Sequence, residues 1–228
     1  MKNRYELFVK VITTLNEAGV LQHLVLIGSW CLYVYRNYFN NAPEIPLLRT
    51  ADIDFLIPRP LRMKGEVNVH EILKNLGFDE QFSSLTGQIK YVHPQLEVEF
   101  LTPELGKGNS RPFDFKRLHL SAQQLRYLTL LQQYTLTISV EGIQVIVPQP
   151  AAFVLHKFLL SVKRSDGIKQ EKDLRTAIEL GEFLLSQKDE SQRLVSIFNS
   201  LPPKWRKVIL SVTEKHAMPI YKTLIGGY

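Results

Sequence analysis

Two acidic residues stand two apart in an apolar run, Ala51-Asp52-Ile53-Asp54-Phe55-Leu56-Ile57. The alternation predicts a strand over 52–57, stopped by Pro58. Residues two apart in a strand share a face, so Asp52 and Asp54 point the same way. Like charges side by side on a strand repel, and strands disfavour Asp. A divalent cation would offset both costs, and oxygen-rich sites suit Mg²⁺, with substrate phosphates completing its shell. The competing expectation is a solvent-facing strand end with two solvated carboxylates. A second acidic stretch, Leu96-Glu97-Val98-Glu99-Phe100-Leu101, repeats the pattern. If the two strands are neighbours, three or four carboxylates converge, as a two-metal phosphoryl-transfer centre requires. The competing expectation there is an edge strand with a charged outer face that resists aggregation. Alternation puts Glu97 and Glu99 on one face and leaves open which completes the set.

The third element is Gly28-Ser29. It lies between an apolar run at 23–27, read as a buried strand, and a helical run at 30–39. Backbone N–H groups at a helix start bind anions. Glycine permits close backbone approach, and Ser29 can add a hydroxyl or cap the helix. There is no Gly-Lys-Ser/Thr phosphate loop and no G-x-G-x-x-G.

These residues need a scaffold, and the rest of the chain supplies its outline. A helix is expected over 5–18, ending at Gly19, and another over 67–76, ending at Gly77. Strands are expected at 78–82, 88–92 and 96–101, separated by turns at Thr86-Gly87 and His93-Pro94. Residues 40–50 read as a loop, 103–120 as a polar excursion, and 123–132 as a short helix. Runs at 134–140 and 143–147 flank Glu141-Gly142, a hairpin turn. After Pro148 and Pro150 only helical periodicity remains, at about 150–163, 169–187, 190–200 and 203–216. The expected class is α+β: a mixed sheet with flanking helices in a catalytic domain over 1–148, then a helical C-terminal region over 149–228.

Gly28-Ser29, then Asp52-Ile53-Asp54, then Glu99 resembles the nucleotidyltransferase superfamily with the DNA polymerase β-like fold. Leu26-Ile27-Gly28-Ser29-Trp30 and Thr50-Ala51-Asp52-Ile53-Asp54-Phe55-Leu56-Ile57-Pro58 are similar to its toxin-type and uncharacterised bacterial branch. Val98-Glu99-Phe100-Leu101-Thr102-Pro103 is similar to the third-carboxylate strand of that branch, which usually carries Asp, and this wording favours Glu99 over Glu97. The resemblance covers about residues 21–180. It implies transfer of a nucleoside monophosphate from an NTP such as ATP to an acceptor hydroxyl, with release of pyrophosphate. Asp52, Asp54 and Glu99 would be the catalytic and metal-binding residues for Mg²⁺ or Mn²⁺. Gly28 and Ser29 would hold the β/γ phosphates. Val147-Pro148-Gln149-Pro150, His156-Lys157, Lys163-Arg164, Lys169 and Lys172-Asp173-Leu174 are similar to the helical segment of that branch, where lysines can face the triphosphate. Lys157, Lys169 and Lys172 are the candidates, set against the ordinary expectation of solvated lysines. Asp173 is expected to pair with a neighbouring base.

The bulk properties set limits on this reading. With 228 residues, 45% hydrophobic and 22% charged, the chain is ordinary for a globular protein and long enough for a sizeable core. Its formal charge of +6 favours polyanionic partners, so RNA such as tRNA is one acceptor; a protein side chain or a small molecule such as an aminoglycoside is another. One cysteine, Cys31, excludes an internal disulfide and a zinc knuckle and reads as a small core residue. The six histidines show no zinc-ligand spacing. Tyr33, Tyr35, Tyr38 and Phe39 could stack on a base but suit core packing better. Pro202-Pro203-Lys204-Trp205-Arg206-Lys207 reads equally as an RNA contact or a basic helix start. With no signal-like start and no membrane-length apolar run, a cytoplasmic protein is expected. The alternative from a different class is a catalytically silent nucleotide-binding or interaction module on the same fold.

Overall fold

The computed structural model describes residues 2–45, 50–82, 88–106, 111–163 and 166–226. The expected turn at Thr86-Gly87, part of the 40–50 loop, and Arg164 lie outside the described residues. The chain divides into two compact units: Met1–Val34 with Leu48–Pro148, and Tyr35–Leu47 with Gln149–Tyr228.

The first unit opens with helix α1 (Lys2–Glu17). Leu7, Phe8, Val11, Ile12 and Leu15 recur at helical spacing and are all buried. The helix stops at Gly19, whose left-handed φ of 70° lets the Val20 N–H reach back to the Leu15 carbonyl at 2.9 Å. Strand β1 (Val25–Ile27) follows, and the turn Gly28-Ser29 leads into helix α2 (Trp30–Tyr38). Strand β2 (Asp52–Leu56), helix α3 (Val69–Asn75), and strands β3 (Asp79–Phe82), β4 (Ile89–Val92) and β5 (Glu97–Pro103) come next. The Asn68 side chain caps α3, accepting from the Glu71 N–H at 3.0 Å.

The region expected as a polar excursion contributes to the sheet instead. It holds strand β6 (Phe113–Phe115), and strand β7 (Leu120–Leu125) starts at its last residue. The expected helix over 123–132 is likewise divided, since β7 runs to Leu125 and helix α4 covers only Leu128–Gln133. The strand Leu-Ser-Ala-Gln-Gln-Leu lacks β-branched residues. Its pairing with β5, and the burial of Leu120 and Ala122, override weak local propensity.

Among the described residues, seven strands form one mixed sheet in the order β1-β2-β5-β4-β3, with β7 beside β5 and β6 beside β7. β5 is parallel to β2 on one edge. Its other edge is shared: β4 pairs with residues 97–99 and β7 with residues 101–103. Val25, Ile27, Leu56, Leu101, Leu128 and Leu131 form a buried cluster of this unit. Strands β8 (Thr135–Val140) and β9 (Ile143–Pro148) make a hairpin whose turn residues, Glu141 and Gly142, both take positive φ.

The second unit is helical, with α5 (Pro150–Ser161), α6 (Gly167–Ser186), α7 (Lys188–Ser200), α8 (Pro203–His216) and α9 (Met218–Gly226). The last of these lies beyond the helices read from the sequence. α5 is buried nearly all round, which explains why its run of apolar residues lacks a polar stripe. Tyr35 is fully buried and meets Phe153 edge-on with centroids 5.6 Å apart, while Phe39 packs on Phe183 at 5.1 Å. The aromatic residues of α2 thus include core packing, although Tyr38 remains exposed. No helix among the described residues is long and apolar enough to cross a membrane.

Candidate active site

Strand pairing brings the acidic residues together. β2 and β5 run parallel with Asp52 opposite Glu97 and Asp54 opposite Glu99. Neighbouring strands lie about 4.8 Å apart, and residues two apart on one strand about 7 Å. The four carboxylate-bearing residues therefore form a grid on one face. On the opposite face the alternate residues Ile53, Phe55, Val98 and Phe100 are buried, and Phe55 stacks on Phe100 at 5.9 Å. That packing fixes the register, because a one-residue slip would drive the carboxylates into the core.

The row through Asp54 continues in both directions. On one side Asp54 pairs with Ile27 of β1, the residue before Gly28. Gly28 takes a left-handed φ of 73°, and a Cβ added there would stand 2.0 Å from Asp54 Oδ2. The Asp54 carboxylate thus lies against bare glycine backbone, a space that any side chain would fill. The Gly28 carbonyl accepts from the Cys31 N–H at 3.2 Å as α2 begins. Cys31 itself is buried, with its Sγ 3.2 Å from the Leu26 carbonyl.

On the other side Glu99 pairs in register with Lys90 of β4. The Lys90 ammonium binds Glu99 Oε1 and lies 3.5 Å from Glu97 Oε2. Gln88 Nε2 donates to Glu99 Oε2 at 2.7 Å. Burial pulls the Lys90 pKa down, but the hydrogen bond and charge of Glu99, helped by Glu97, leave it raised above the ordinary lysine value. Lys90 and Gln88 were not among the residues read from the sequence. Their signal is the hairpin about His93-Pro94: once Val92 faces Glu97, Lys90 must face Glu99.

The donor set can be tested against a divalent ion. Asp52 is exposed and Asp54 half-buried, with the Asp54 carboxylate against the Gly28 backbone. Two hard oxygen donors on one strand face fit Mg²⁺ or Mn²⁺, which keep substrate and water ligands. Among the described residues, no group of three or more His, Cys, Asp or Glu stands close enough to hold a metal ion.

The candidate lysines of the second unit differ in setting. Lys157 is buried on α5, and its Nζ donates to Asp173 Oδ1 of α6 at 2.6 Å. The expected pairing of Asp173 with a base is therefore present, and that base is Lys157. Lys169 is exposed and Lys172 half-buried in the first turns of α6. Two of the histidines pair with carboxylates of the first unit: His70 with Glu80 at 2.9 Å, and His119 with Glu66.

Similarity to known proteins shows the family. The family NTP_transf_8, described as Nucleotidyltransferase, matches residues 6–198. No curated protein matches the sequence. Among solved structures, the chain is similar to the antibiotic-resistance factor ANT(2'')-Ia, at 14% identity and a TM-score of 0.49, over 94% of this chain and 98% of that one. It is also similar to an antigenic nucleotidyltransferase-like protein from Paracoccidioides brasiliensis, at 15% identity and a TM-score of 0.41, over 90% and 92%. A tRNA nucleotidyltransferase complexed with a primer tRNA and an ATP analogue gives 18% identity and a TM-score of 0.26, over 96% of this chain and 63% of that one. The family match takes in every strand of the sheet and reaches α7, and the chain belongs to this nucleotidyltransferase family.

Proposed function

We propose that this nucleotidyltransferase moves a nucleoside monophosphate from an NTP to an acceptor hydroxyl in a reaction that depends on a divalent ion held by Asp52 and Asp54. The observation that carries the reading is the contact of the Asp54 carboxylate with bare Gly28 backbone at the start of α2. It sets a ligand-binding carboxylate beside a turn that a phosphate can approach closely. In this reading Gly28 and Ser29 hold the β/γ phosphates. The acceptor oxygen forms a bond to the α-phosphorus while the bond from that phosphorus to the bridging oxygen breaks, and pyrophosphate leaves. Glu99, next to Asp54 in the row, orients the acceptor hydroxyl and takes its proton. Bound Mg²⁺ or Mn²⁺ would supply neutralisation of phosphate charge and polarisation of the reacting oxygens. The chain's own contribution is position and electrostatics.

The catalytic groups belong to the 1–148 domain, and we assign 149–228 to a helical region. The phosphate role of Lys169 and Lys172 rests on charge and exposure alone, and Lys157 would have to give up Asp173 to share it. The net charge of +6 favours RNA as the acceptor class, with protein and small-molecule hydroxyls as the alternatives. The test is thermal stability with ATP, GTP, CTP and UTP, each with and without Mg²⁺, for wild type and Asp54→Asn. A ligand at about 100 times its dissociation constant stabilises by about 2.7 kcal/mol. The expected result is a Mg²⁺-dependent rise with at least one NTP that Asp54→Asn abolishes. No rise with any NTP, or an equal rise in the variant, would overturn the reading.

A further inference from the structure

Positive charge gathers near the C-terminal end of β5. The segments 59–66 and 113–119 carry five Lys or Arg, namely Arg59, Arg62, Lys64, Lys116 and Arg117, and two carboxylates. Other groups take the carboxylates: Glu66 binds His119, and Asp114 accepts from the Ser121 hydroxyl. None of the five cations has a carboxylate partner among the described residues. Buried anchors hold the two segments together. Met63 and Leu118 are buried, and Arg62, Lys64, Lys116 and Arg117 beside them are exposed. The Arg117 guanidinium donates to the Met63 carbonyl, and the Val67 N–H donates to the Arg117 carbonyl at 2.8 Å. The Arg59 guanidinium lies over the Phe113 ring, 4.0 Å from its centroid, and donates to Gln124 Oε1 at 3.0 Å. Like charges held near one another repel, and a partner with several negative charges offsets that cost.

We infer that this surface binds the phosphate backbone of an RNA strand and is where the acceptor docks. The choice of RNA rests on the proposed transfer to a hydroxyl. Repeated phosphates match cations spread over two segments. Among the described residues of both segments, no large apolar side chain is exposed, whereas a membrane-binding surface buries apolar side chains in the lipid. Arg59 also reaches the Pro103 carbonyl at 3.4 Å, and Pro103 stands four residues along β5 from Glu99. That is about 13 Å, or about four phosphates at about 3.4 Å each along one strand.

The experiment measures binding of a labelled single-stranded RNA of mixed sequence over about 50–200 mM salt. A site variant carries Arg62→Gln, Lys64→Gln and Lys116→Gln. A control variant loses the same charge from exposed positions of α1 and α3, through Arg4→Gln, Lys10→Gln and Lys74→Gln. The site variant should bind about tenfold more weakly, and its slope of log K against log salt should fall by about 2, while the control stays near wild type. Equal losses in the two variants would show that net charge alone matters and would overturn the inference, as would no loss in the site variant. Binding of wild type to anionic phosphatidylserine vesicles but not to RNA would overturn it too. A second measurement needs no variant: RNA should protect Lys64 and Lys116 of the wild type from acetylation, read by mass spectrometry, and leave Lys10 and Lys74 reactive. Unprotected Lys64 and Lys116 in RNA-bound protein would overturn the inference. The Mg²⁺-dependent rise in melting temperature with NTP is read on the same proteins and should be equal in wild type and site variant. Its absence from wild type defeats the parent reading, an outcome distinct from any loss of RNA binding.

Discussion

Gly28 carries two constraints at one position. Its φ of 73° is left-handed, and its missing Cβ leaves room for Asp54 Oδ2. Gly28→Ala is expected to cost about 1–2 kcal/mol through backbone strain, and the displaced carboxylate should abolish stabilisation by NTP and Mg²⁺. Gly19 separates the two effects. It has nearly the same φ, 70°, but nothing within 4 Å of an added Cβ. Gly19→Ala should therefore lower the melting temperature and leave the nucleotide-dependent rise intact. Equal nucleotide responses in the two variants would show that the contact with Asp54 is unimportant. Much at this scale was legible in the sequence: the two aspartates, the glycine turn and the acidic pair on the later strand all stand in motifs. What no motif marked was the occupancy of Glu99, because Lys90 and Gln88 reach it only through strand register.

Elements were legible where pattern and propensity agreed. The α1 stripe, the Glu141-Gly142 hairpin and the two acidic strands each carry a period that matches their geometry. β7 was not legible because Gln123 and Gln124 suit a helix locally and become strand only by pairing with residues 101–103 of β5. The contact between α5 and α6 makes a further case. Lys157 stands on a largely apolar helix and is buried against Asp173, where the family resemblance also implied a phosphate contact. Removing one partner of a buried pair costs about 3–5 kcal/mol, while replacing both with apolar residues is often neutral. Lys157→Met should therefore be strongly destabilised, and Lys157→Met with Asp173→Leu should recover most of the loss in denaturant melts. If the double variant also keeps the wild-type KM for the NTP, the role of Lys157 is structural. A raised KM in a stable double variant would restore its part in phosphate binding.

For the whole molecule, the anionic face of β2 and β5 belongs to a chain of net charge +6. Positive charge outside the site would draw a polyanionic acceptor whose reactive hydroxyl then meets carboxylates locally. RNA binding should weaken steeply as salt rises, because each neutralised phosphate releases counterions. Filter binding of RNA over 50–200 mM salt checks this, and a flat response would favour a neutral acceptor. Composition told of charge and class but nothing of where that charge meets its partner.

The β4–β5 hairpin has a bearing on how the chain assembles. Lys90 and Glu99 are joined through a short turn, whereas the parallel pairing of β2 with β5 must close a much longer loop. Local hairpins close faster than distant strands find each other. Asp52 and Asp54 therefore dock onto a strand whose carboxylates already carry an ammonium. That pairing meets a partly neutralised edge in place of two bare charges, so the same lysine eases the route to the folded state.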